Sequence, residues 1–470
     1  MSSIGGIFSI AASALRASQA AIAVTGQNVA NAGTEGYSRQ HLRLEAAPGV
    51  RMTEGRFGGG VDVNGVDRSR DILLDAGFRG ESSRSEGFRS HGELLHRVES
   101  LLGEPGPEGV SAVLDRFFSA WSDLATSPES AAARGTLRQE ALGLTERLND
   151  LAAGVDRLRQ EGVERLSQQA GRIQALVGDL AAMNRSIVTA ESDGMPAPDL
   201  RDARDRALDE LATLIPIQVR PSADGSVRVT LEGIALVDGP RPPEVGVVLF
   251  GGEVRLQVGD ARISLSAGQG AVGGTMEAVN RDIPALRTGL DTLAQALVDS
   301  VNAIHRTGTN PMGDEGVDFF HLPLDGAGDP LPVSAATLRL SDAVAASALA
   351  IAAGPGSDPG TPENAHQAGR NEVALALAGL RDATDAGLGQ SLGEHYGELV
   401  GGLANRIRQS RDGAAVHRTL AQQADFRRLE VSGVSVDEEM VKLIQFQASY
   451  AAAARVLSAA DEMLQTLLRV

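Results

Sequence analysis

Residues 4–29 read IGGIFSIAASALRASQAAIAVTGQNV, and apolar or small residues recur along this stretch at alternating spacings of four and three. This spacing places them on one face of an α-helix about 40 Å long, since each residue adds about 1.5 Å. The sequence therefore predicts an amphipathic helix at this end of the chain. The stripe residues that we expect at a subunit interface are Ile4, Phe8, Ala11, Leu15, Ile22 and Val29.

A second stripe with the same spacing lies near the other end of the chain. Ser435 and Glu438 precede it as an S-x-x-E capping box, which predicts a helix from near Val436 almost to Val470. The acidic residues 437–439 lie where the helix dipole favours negative charge, so we interpret them as part of the cap and not as a metal site. The residues of this stripe that we expect at a subunit interface are Leu443, Phe446, Tyr450, Leu457, Leu464 and Leu467.

The two stripes favour assembly when they are taken together. A single stripe on a helix usually faces the core of its own protein. Here both ends of the chain carry one, and small residues such as Ala11 and Ala453 lie within each seam, which permits close approach of two helices. We therefore predict that the two ends pack together and onto other subunits.

The composition disfavours several classes of function. The chain has 470 residues, enough for about three domains, and its 43 basic and 61 acidic residues give a net charge of −18. This charge repels nucleic acid and anionic lipid, so neither nucleic acid nor a membrane is an expected partner. Cysteine is absent and Lys442 is the single lysine, which excludes thiolate chemistry and leaves one candidate for a Schiff base.

A membrane span or a cleaved signal peptide is also not expected. No continuous apolar run reaches the roughly 20 residues that cross a bilayer. The apolar N-terminal stretch has no positive charge before Arg16, and its pattern continues past any cleavage point. If the protein leaves the cytoplasm, we expect a route that removes no segment.

The middle of the chain changes its period twice. Helix-forming sequence runs from Asp71 to about Ala190, with breaks at 103–107 and 127–128, and a further helix is predicted from Asp199 toward Leu214. Short alternating apolar runs separated by Gly and Asp turns then predict antiparallel strands. Helical sequence resumes near Thr275, and again from Asn371 to about Leu429, on either side of a proline-rich loop.

The predicted fold is mainly α with a small β insert, in nested discontinuous domains. Paired terminal helices form the first domain, an elongated helical bundle the second and an antiparallel β domain the third, which we expect to be separable from the bundle. The predicted domain limits are 1–60 with 430–470, 61–215 with 275–429, and 216–274.

Two motifs suggest an enzyme at first, and both have a structural explanation. Gly268 to Gly273 matches G-x-G-x-x-G, but no strand follows the next helix to complete a dinucleotide-binding unit, so we interpret the glycines as a turn. Asp199, Asp202, Asp205 and Asp209 alternate with arginines at helical spacing, which predicts a solvated face of ion pairs. We therefore predict no catalytic, cofactor or metal site.

The segment after the first helix carries a family resemblance. Asn28, Asn31, Thr34, Gly36 and Tyr37 form the pattern N-x-x-N-x-x-T-x-G-Y, which locally indicates a helix end and a turn. This pattern resembles the signature of the axial proteins of the bacterial flagellum, the rod, hook and hook-associated proteins. The Ser-Arg-Gln that follows narrows the resemblance to the hook-associated protein 1 family. The stretches that resemble the same family elsewhere are 432–439 with the helix behind it, 200–205 and 316–320.

The resemblance implies a structural role at the junction between hook and filament. Its implied partners are the flagellar hook protein, the second hook-associated (junction) protein and an export chaperone on the C-terminal helix, with self-association in a ring. It also implies export through the flagellar type III channel without cleavage, and a place outside the cell. An outer domain that the family commonly carries after Asp318-Phe-Phe320 is expected to be absent or vestigial here.

Three alternatives remain open at the level of sequence. The chain could be another flagellar axial protein, such as the hook, distal rod or second junction protein. It could also be a secreted coiled-coil adaptor that dimerises through its ends, or an enzyme that uses the Gly268 turn or the Asp199 cluster.

Overall fold

The structure is a computed structural model that describes residues 2–52, 55–239, 241–327, 329–356, 369–385 and 387–468, with the side chains of 2–4, 50–52, 55–57 and 467–468 left undescribed. The predicted mainly α fold with a small β insert is confirmed. Ile4 and Leu467 belong to the predicted stripes, but their side chains lie outside the described set.

The two ends of the chain form a pair of helices. Helix α1 (Ser2–Ala30) packs along helix α11 (Val436–Leu468). The buried apolar residues of α11 are Ala453 and Ala460, and α1 buries alanines such as Ala11. Alanines at a helix contact let the two backbones approach closely.

Helix α1 also bears on the expectation about membrane spans. Within the described residues, Gly5–Ala30 is long and apolar enough to cross a membrane by length and composition alone. Small residues interrupt its apolar runs, but the mean hydropathy over the helix remains apolar. In the structure this helix is packed against α11 and against the strands that follow it.

A hairpin that the sequence analysis missed follows α1. Strand β1 (Gln40–Ala46) pairs antiparallel with β4 (Val61–Arg68), and the short strands β2 (Val50–Met52) and β3 (Gly55–Phe57) pair beyond them. Most of β1 is exposed on both faces, so its sequence lacks a clear apolar alternation. The expected domain limit at residue 60 falls inside this hairpin, between two paired strands.

Long helices form the bundle, with breaks where the sequence predicts them. Helix α2 starts at the N-cap Asp71 and ends at Gly103, which has a φ of 68°. The 60-residue α4 spans about 90 Å at 1.5 Å per residue. The bounds of the first four bundle helices are α2 Ile72–Leu102, α3 Val110–Thr126, α4 Ala131–Ala190 and α5 Pro198–Leu214.

The remaining helices return the chain along the same bundle. A five-residue π-helical turn, Ala278–Asp282, joins α6 (Gly270–Glu277) to α7 (Ile283–His305). Helix α10 (Leu392–Ser432) packs along α2. Between α7 and α9 the described residues form loops and very short elements. The bounds are α6 Gly270–Glu277, α7 Ile283–His305, β11 Gly308–Thr309, α8 Asp342–Ala346, a 3₁₀ turn Ala348–Ala350, β12 Gly354–Pro355, α9 Glu372–Gly379 and α10 Leu392–Ser432.

The β insert consists of two small antiparallel sheets. Each has three strands in sequence order, and one face of the central strand of each sheet is buried. The strands of the first sheet are β5 Ile217–Pro221, β6 Val227–Leu231 and β7 Ile234–Val237; those of the second are β8 Val245–Phe250, β9 Glu253–Val258 and β10 Ala261–Ile263.

One hydrophobic core runs through the bundle and into the insert. At one place the two phenylalanines of the Asp-Phe-Phe segment enter it: Phe319 lies 5.3 Å from Trp121 and Phe320 lies 6.0 Å from Phe117 between ring centroids. His305 lies against Phe319, and burial lowers the pKa of its imidazole.

The insert is bound to the bundle by buried polar contacts as well. The side chain of Asn184 on α4 donates to the carbonyl of Val227 at 2.8 Å and accepts from its amide at 3.1 Å. The hydrophobic core and these hydrogen bonds both cross the boundary between insert and bundle. The separable β domain stays a prediction.

The G-x-G-x-x-G glycines return the chain from the insert to the bundle. Gly270 has a φ of 76°, and a Cβ there would lie 2.3 Å from the carbonyl oxygen of Leu214. At Gly274, which directly follows the motif, a Cβ would overlap the carbonyl oxygen of Gly87 on α2. These glycines are needed for a tight turn and for close contact between α6 and α2.

Replacing Asn184 with alanine should lower the free energy of unfolding by about 1–3 kcal/mol, because the buried amide and carbonyl of Val227 lose their partner. Chemical denaturation monitored by circular dichroism measures this loss. The control is Asn405→Ala on the exposed side of α10, which should change stability by less than about 0.5 kcal/mol. Equal effects of the two substitutions would contradict a structural role for Asn184.

Candidate functional site

Asn28, at the end of α1, joins the two terminal helices. Its amide nitrogen donates to the carbonyl of Gln40 and to Oε2 of Glu439 on α11, each at 2.9 Å. Its amide oxygen accepts from the backbone of Gln40 at 3.0 Å and from the hydroxyl of Tyr37 at 2.8 Å. Asn28 is 1% exposed, so this one side chain holds α1, the following segment and α11 together in a buried place.

Glu439 belongs to the acidic residues 437–439, which we interpreted as part of the helix cap. Its contacts show that it is also the partner of Asn28. Its other carboxylate oxygen accepts from Arg39 at 2.9 Å and from Lys442 at 3.1 Å. Burial acts to raise its pKa, but the hydrogen bond from Asn28 and the charges of Lys442 and Arg39 outweigh burial and hold the pKa below its usual value. Ser435 does accept from the amide of Glu438, at 3.4 Å, as a cap would.

The other signature residues shape the turn after α1. The hydroxyl of Thr34 donates to the side chain of Asn31 at 3.2 Å, and Asn31 donates back to the helix. Gly36 has a φ of 75°, which other residues rarely adopt. Burial, aided by Asp199, Asp202 and Glu439, raises the pKa of Tyr37 to about 12, so its hydroxyl keeps the proton that it donates to Asn28.

The aspartates of α5 form a second buried centre, which corrects the predicted solvated face. Asp202 accepts from the amide of Ser38 at 3.0 Å, from its hydroxyl at 2.7 Å and from Arg68 at 2.5 Å. Asp202 and Asp205 are only 3% and 7% exposed. Their cationic partners come from other elements of the fold, so helical spacing within α5 could not reveal them.

Further ion pairs extend this centre to the bundle. Asp205 lies 2.8 Å from Arg68, 3.6 Å from Arg70 and 3.7 Å from Arg79. Burial acts to raise the pKa of Asp205, but these three arginines outweigh it and lower the pKa. Two more pairs join α5 to α2 and α10: Asp209 contacts Arg79 and Arg428, each at 2.6 Å.

We call this set of contacting residues the junction cluster. It connects the terminal helices, the hairpin, α2, α5 and the end of α10. Breaking a buried ion pair by removing one partner is strongly destabilising, since the other charge stays desolvated. The cluster therefore fixes the orientation of the terminal pair against the bundle. Its members are Asn28, Tyr37, Ser38, Arg39, Gln40, Arg68, Arg70, Asp75, Arg79, Asp202, Asp205, Asp209, Arg428 and Glu439.

The predicted interface stripes lie mostly at contacts within the chain. In α1, Ala11 is buried and the other described stripe residues are half-buried: Phe8, Leu15, Ile22 and Val29. In α11, Tyr450 and Leu464 are 36% and 38% exposed, and the rest are half-buried: Leu443, Phe446 and Leu457. The stripe of α11 is on the side of Ala453 and Ala460, so it faces α1.

The opposite side of α11 carries an apolar row that the sequence analysis missed. Its large residues are well exposed: Val441 by 56%, Ile444 by 62%, Val456 by 47% and Met463 by 46%. The spacing of three and four could have revealed it, but the inner stripe has the larger side chains. We call this row the outer stripe; its members are Val441, Ile444, Ala448, Ala452, Val456, Ala459 and Met463.

A Ser-His-Asp group lies in the bundle, away from the junction cluster. His91 on α2 lies 2.7 Å from the hydroxyl of Ser410 and 2.6 Å from the carboxylate of Asp282. Ser410 also donates its hydroxyl to the carbonyl of Arg406 at 2.9 Å, within its own helix. A serine nucleophile must give that proton to the histidine, whereas Ser410 donates it to the carbonyl of Arg406. The geometry therefore supports a structural contact that links α2, the π-helical turn and α10.

The described part of the chain has no cluster of side chains suited to bind a metal ion. No group of three or more His, Asp or Glu residues there is placed to hold a metal ion. The carboxylates of the Asp199–Asp209 region bind arginines and Ser38 instead.

Comparison with known proteins gives three family models. The model described as the flagellar hook-associated protein FlgK helical domain matches residues 95–320. The C-terminal model of the flagellar basal body rod FlgEFG proteins matches 427–470, and the flagella basal body rod protein model matches 8–37. The two terminal matches contain Asn28 and Glu439, the pair that joins α1 to α11.

Relatives with assigned names align along nearly the full chain. The flagellar hook-associated protein 1 of Bacillus subtilis is 27% identical over 97% of this chain and 96% of its own. The protein of the same name from Salmonella typhimurium is 23% identical over 98% and 99%. The flagellar hook junction protein FlgK from Burkholderia pseudomallei has a similar fold, with a TM-score of 0.64 and 15% identity over 76% of this chain and all of that one.

Asp202→Asn should destabilise the protein by about 3–5 kcal/mol, because Arg68 then stays buried without its carboxylate. Denaturant unfolding measures the change. Glu210→Gln on the same helix is the control: its pair with Arg172 is exposed, and its loss should cost less than about 1 kcal/mol. A cost for Asp202→Asn as small as that of the control would show that the buried centre does not stabilise the fold.

Glu439→Gln should make stability less dependent on acid pH. The folded pKa of Glu439 lies below the usual value of 4.5, so its charge contributes stability that is full above that value and is lost as the pH falls through the folded pKa. The melting temperatures of wild type and variant, measured from pH 7 to pH 3, should differ most near neutrality and converge as the pH falls through the folded pKa of Glu439. A difference that stays constant over this range would contradict the assignment.

Proposed function

The chain belongs to the flagellar hook-associated protein 1 family, and from this premise we propose that it is a structural component that forms the junction between the hook and the filament of the bacterial flagellum. Proteins that align with nearly the whole chain carry the name flagellar hook-associated protein 1. The proposal needs no catalytic centre. It places the chain in the flagellum, outside the cell.

The outer stripe carries the proposal. Helix α11 contacts α1 through one face, while large apolar side chains of the opposite face are about half exposed or more. An apolar face of this length is stable in water only when another surface covers it. In a ring of identical subunits the terminal pair of one subunit would cover the outer stripe of the next.

The junction cluster supports the same role from the mechanical side. Subunits in a tube need a fixed angle between the helices that form its wall and the bundle that projects from it. Here that angle depends on buried ion pairs and hydrogen bonds between elements far apart in sequence. A junction protein would use the cluster to hold its bundle in one orientation.

We extend the proposal to the partners that adjoin such a ring. The hook protein would lie below it and the second hook-associated protein above it. Before export through the type III channel, which would remove no segment, the outer stripe needs protection in the cytoplasm. An export chaperone bound to the C-terminal helix would provide it.

Two alternatives account for less of the structure. Another axial protein, such as hook or distal rod, would share the terminal helices and the turn, but the helical-domain match at 95–320 is to the hook-associated family. A secreted coiled-coil adaptor that forms a closed dimer would not need an apolar face still open after its two ends pair.

Ile444→Asp should abolish assembly while it changes the monomer little. Ile444 is 62% exposed in the single chain, so a carboxylate there costs the monomer almost nothing. Loss of about 2 kcal/mol at each subunit contact weakens each association step roughly thirtyfold. Electron microscopy of flagella in a strain that lacks the native protein measures assembly, and the melting temperature of purified monomer measures stability.

Leu249→Asp is the matched control, because Leu249 is 67% exposed on β8 of the insert, away from the terminal helices. It should support filaments. Normal filaments with Ile444→Asp, or a large fall in its melting temperature, would overturn the assignment of the outer stripe to subunit contacts.

A further inference from the structure

A cleft of about 510 Å³ opens beside the junction cluster. The hairpin, the start of α2, α5 and the first sheet of the insert form its walls. Six arginines line it against three aspartates, in a chain whose net charge is −18. The lining arginines are Arg43, Arg68, Arg70, Arg79, Arg201 and Arg204.

Five of these arginines have a carboxylate partner. Arg43 pairs with Asp67 at 2.6 Å, and Arg201 pairs with Glu191 at 2.5 Å from outside the lining. The other three, deeper in the cleft, bind the aspartates of the junction cluster. The positive charge of the cleft is therefore largely balanced, except at one position.

Arg204 is that exception. It is 4% exposed, and it forms no ion pair within the described part of the chain. One guanidinium nitrogen donates to the carbonyl of Gly225 at 2.8 Å, while its buried Nε has no hydrogen-bond partner. Burial, together with the charges of Arg68 and Arg201, lowers the pKa of Arg204 to about 10, with Asp205 opposing this effect.

Arg79 provides a second unsatisfied group in the same wall. It is 7% exposed, and its buried Nη2 has no hydrogen-bond partner: the Asp205 carboxylate oxygen is 3.7 Å away. Buried guanidinium nitrogens usually have acceptors, because an unmet charged donor costs free energy. Two such donors in one arginine-lined cleft indicate a missing negative group.

We propose that this cleft binds an oxyanion, supplied by a free phosphate or by the carboxylate of an acidic side chain from an adjoining subunit. Arginine is the residue best suited to such a ligand, since its planar donors match carboxylate and phosphate oxygens. The volume holds either group with several waters. A bound anion would link the hairpin, α5 and the insert, and would strengthen the junction cluster.

Calorimetric titration of the purified full-length monomer in low-chloride buffer tests the site with two probes, inorganic phosphate and glutarate. We expect saturable binding of at least one of them. Arg204→Met should weaken it about tenfold, the effect of losing one charged hydrogen bond of about 1.5 kcal/mol. Arg43→Gln at the rim, where the side chain is 46% exposed, should weaken it severalfold.

Arg172→Gln is the control, since Arg172 lies on the exposed side of α4 and pairs with Glu210 outside the cleft. It should bind like wild type. If Arg204→Met does not fold, as judged by circular dichroism, Arg43→Gln decides. Binding of phosphate alone assigns a free phosphate, and binding of glutarate assigns an acidic side chain.

No saturable binding of either probe, or wild-type affinity in the cleft variants, would overturn the site. The monomer measurement does not depend on the proposed function. A chain that assembles into flagella without binding an anion loses only the site, and one that binds without assembling loses only the proposed function.

Discussion

The hydrogen bond between the amide of Asn28 and the carboxylate of Glu439 connects two residues 411 positions apart, at the place where α1 and α11 meet the rest of the chain. Four contacts satisfy the Asn28 side chain, and Arg39 and Lys442 compensate the charge of Glu439. Between the two helices themselves, the described apolar residues that are fully buried are alanines, and larger seam residues such as Phe446 and Leu457 are half-buried. The orientation of the terminal pair therefore depends on this polar contact as well as on apolar packing.

The whole junction cluster depends on polar contacts of this kind, mainly buried ion pairs. Desolvating an arginine and an aspartate is costly, and their attraction repays that cost only with good geometry and further hydrogen bonds. Asp202 meets that condition because the Ser38 amide and hydroxyl fill the positions that Arg68 leaves open. Such contacts are directional, whereas apolar packing tolerates sliding. This suits the proposed subunit, which would present two helices and a bundle at one angle. Two arginines that line the adjoining cleft, Arg79 and Arg204, each keep a buried nitrogen without a hydrogen-bond partner.

Helix α11 contacts α1 through one face, and in our proposal its opposite face contacts the neighbouring subunit. Its inner face buries Ala453 and Ala460 against α1, and its outer face exposes Ile444 and Met463. Larger residues in place of these two alanines would push the helices apart, and smaller ones at the outer face would remove the apolar area that the proposed neighbour covers. The proposed assembly therefore needs both faces.

The sequence by itself determined the elements that obey a local repeat. The breaks near Gly103 and Pro128, the end of α5 before Pro216 and the change to a period of two were all readable, because backbone sterics and side-chain spacing act within a few residues. The hairpin at 40–68 escaped this reading, because its exposed strands carry no clear alternation. Only the tertiary structure decided the partners of charged residues. Asp202 is joined to Ser38 and Arg68 across 164 and 134 residues. The sequence around a carboxylate does not indicate which distant arginine the fold will place beside it. For that reason a face that helical spacing predicts to be solvated became a buried centre of the fold.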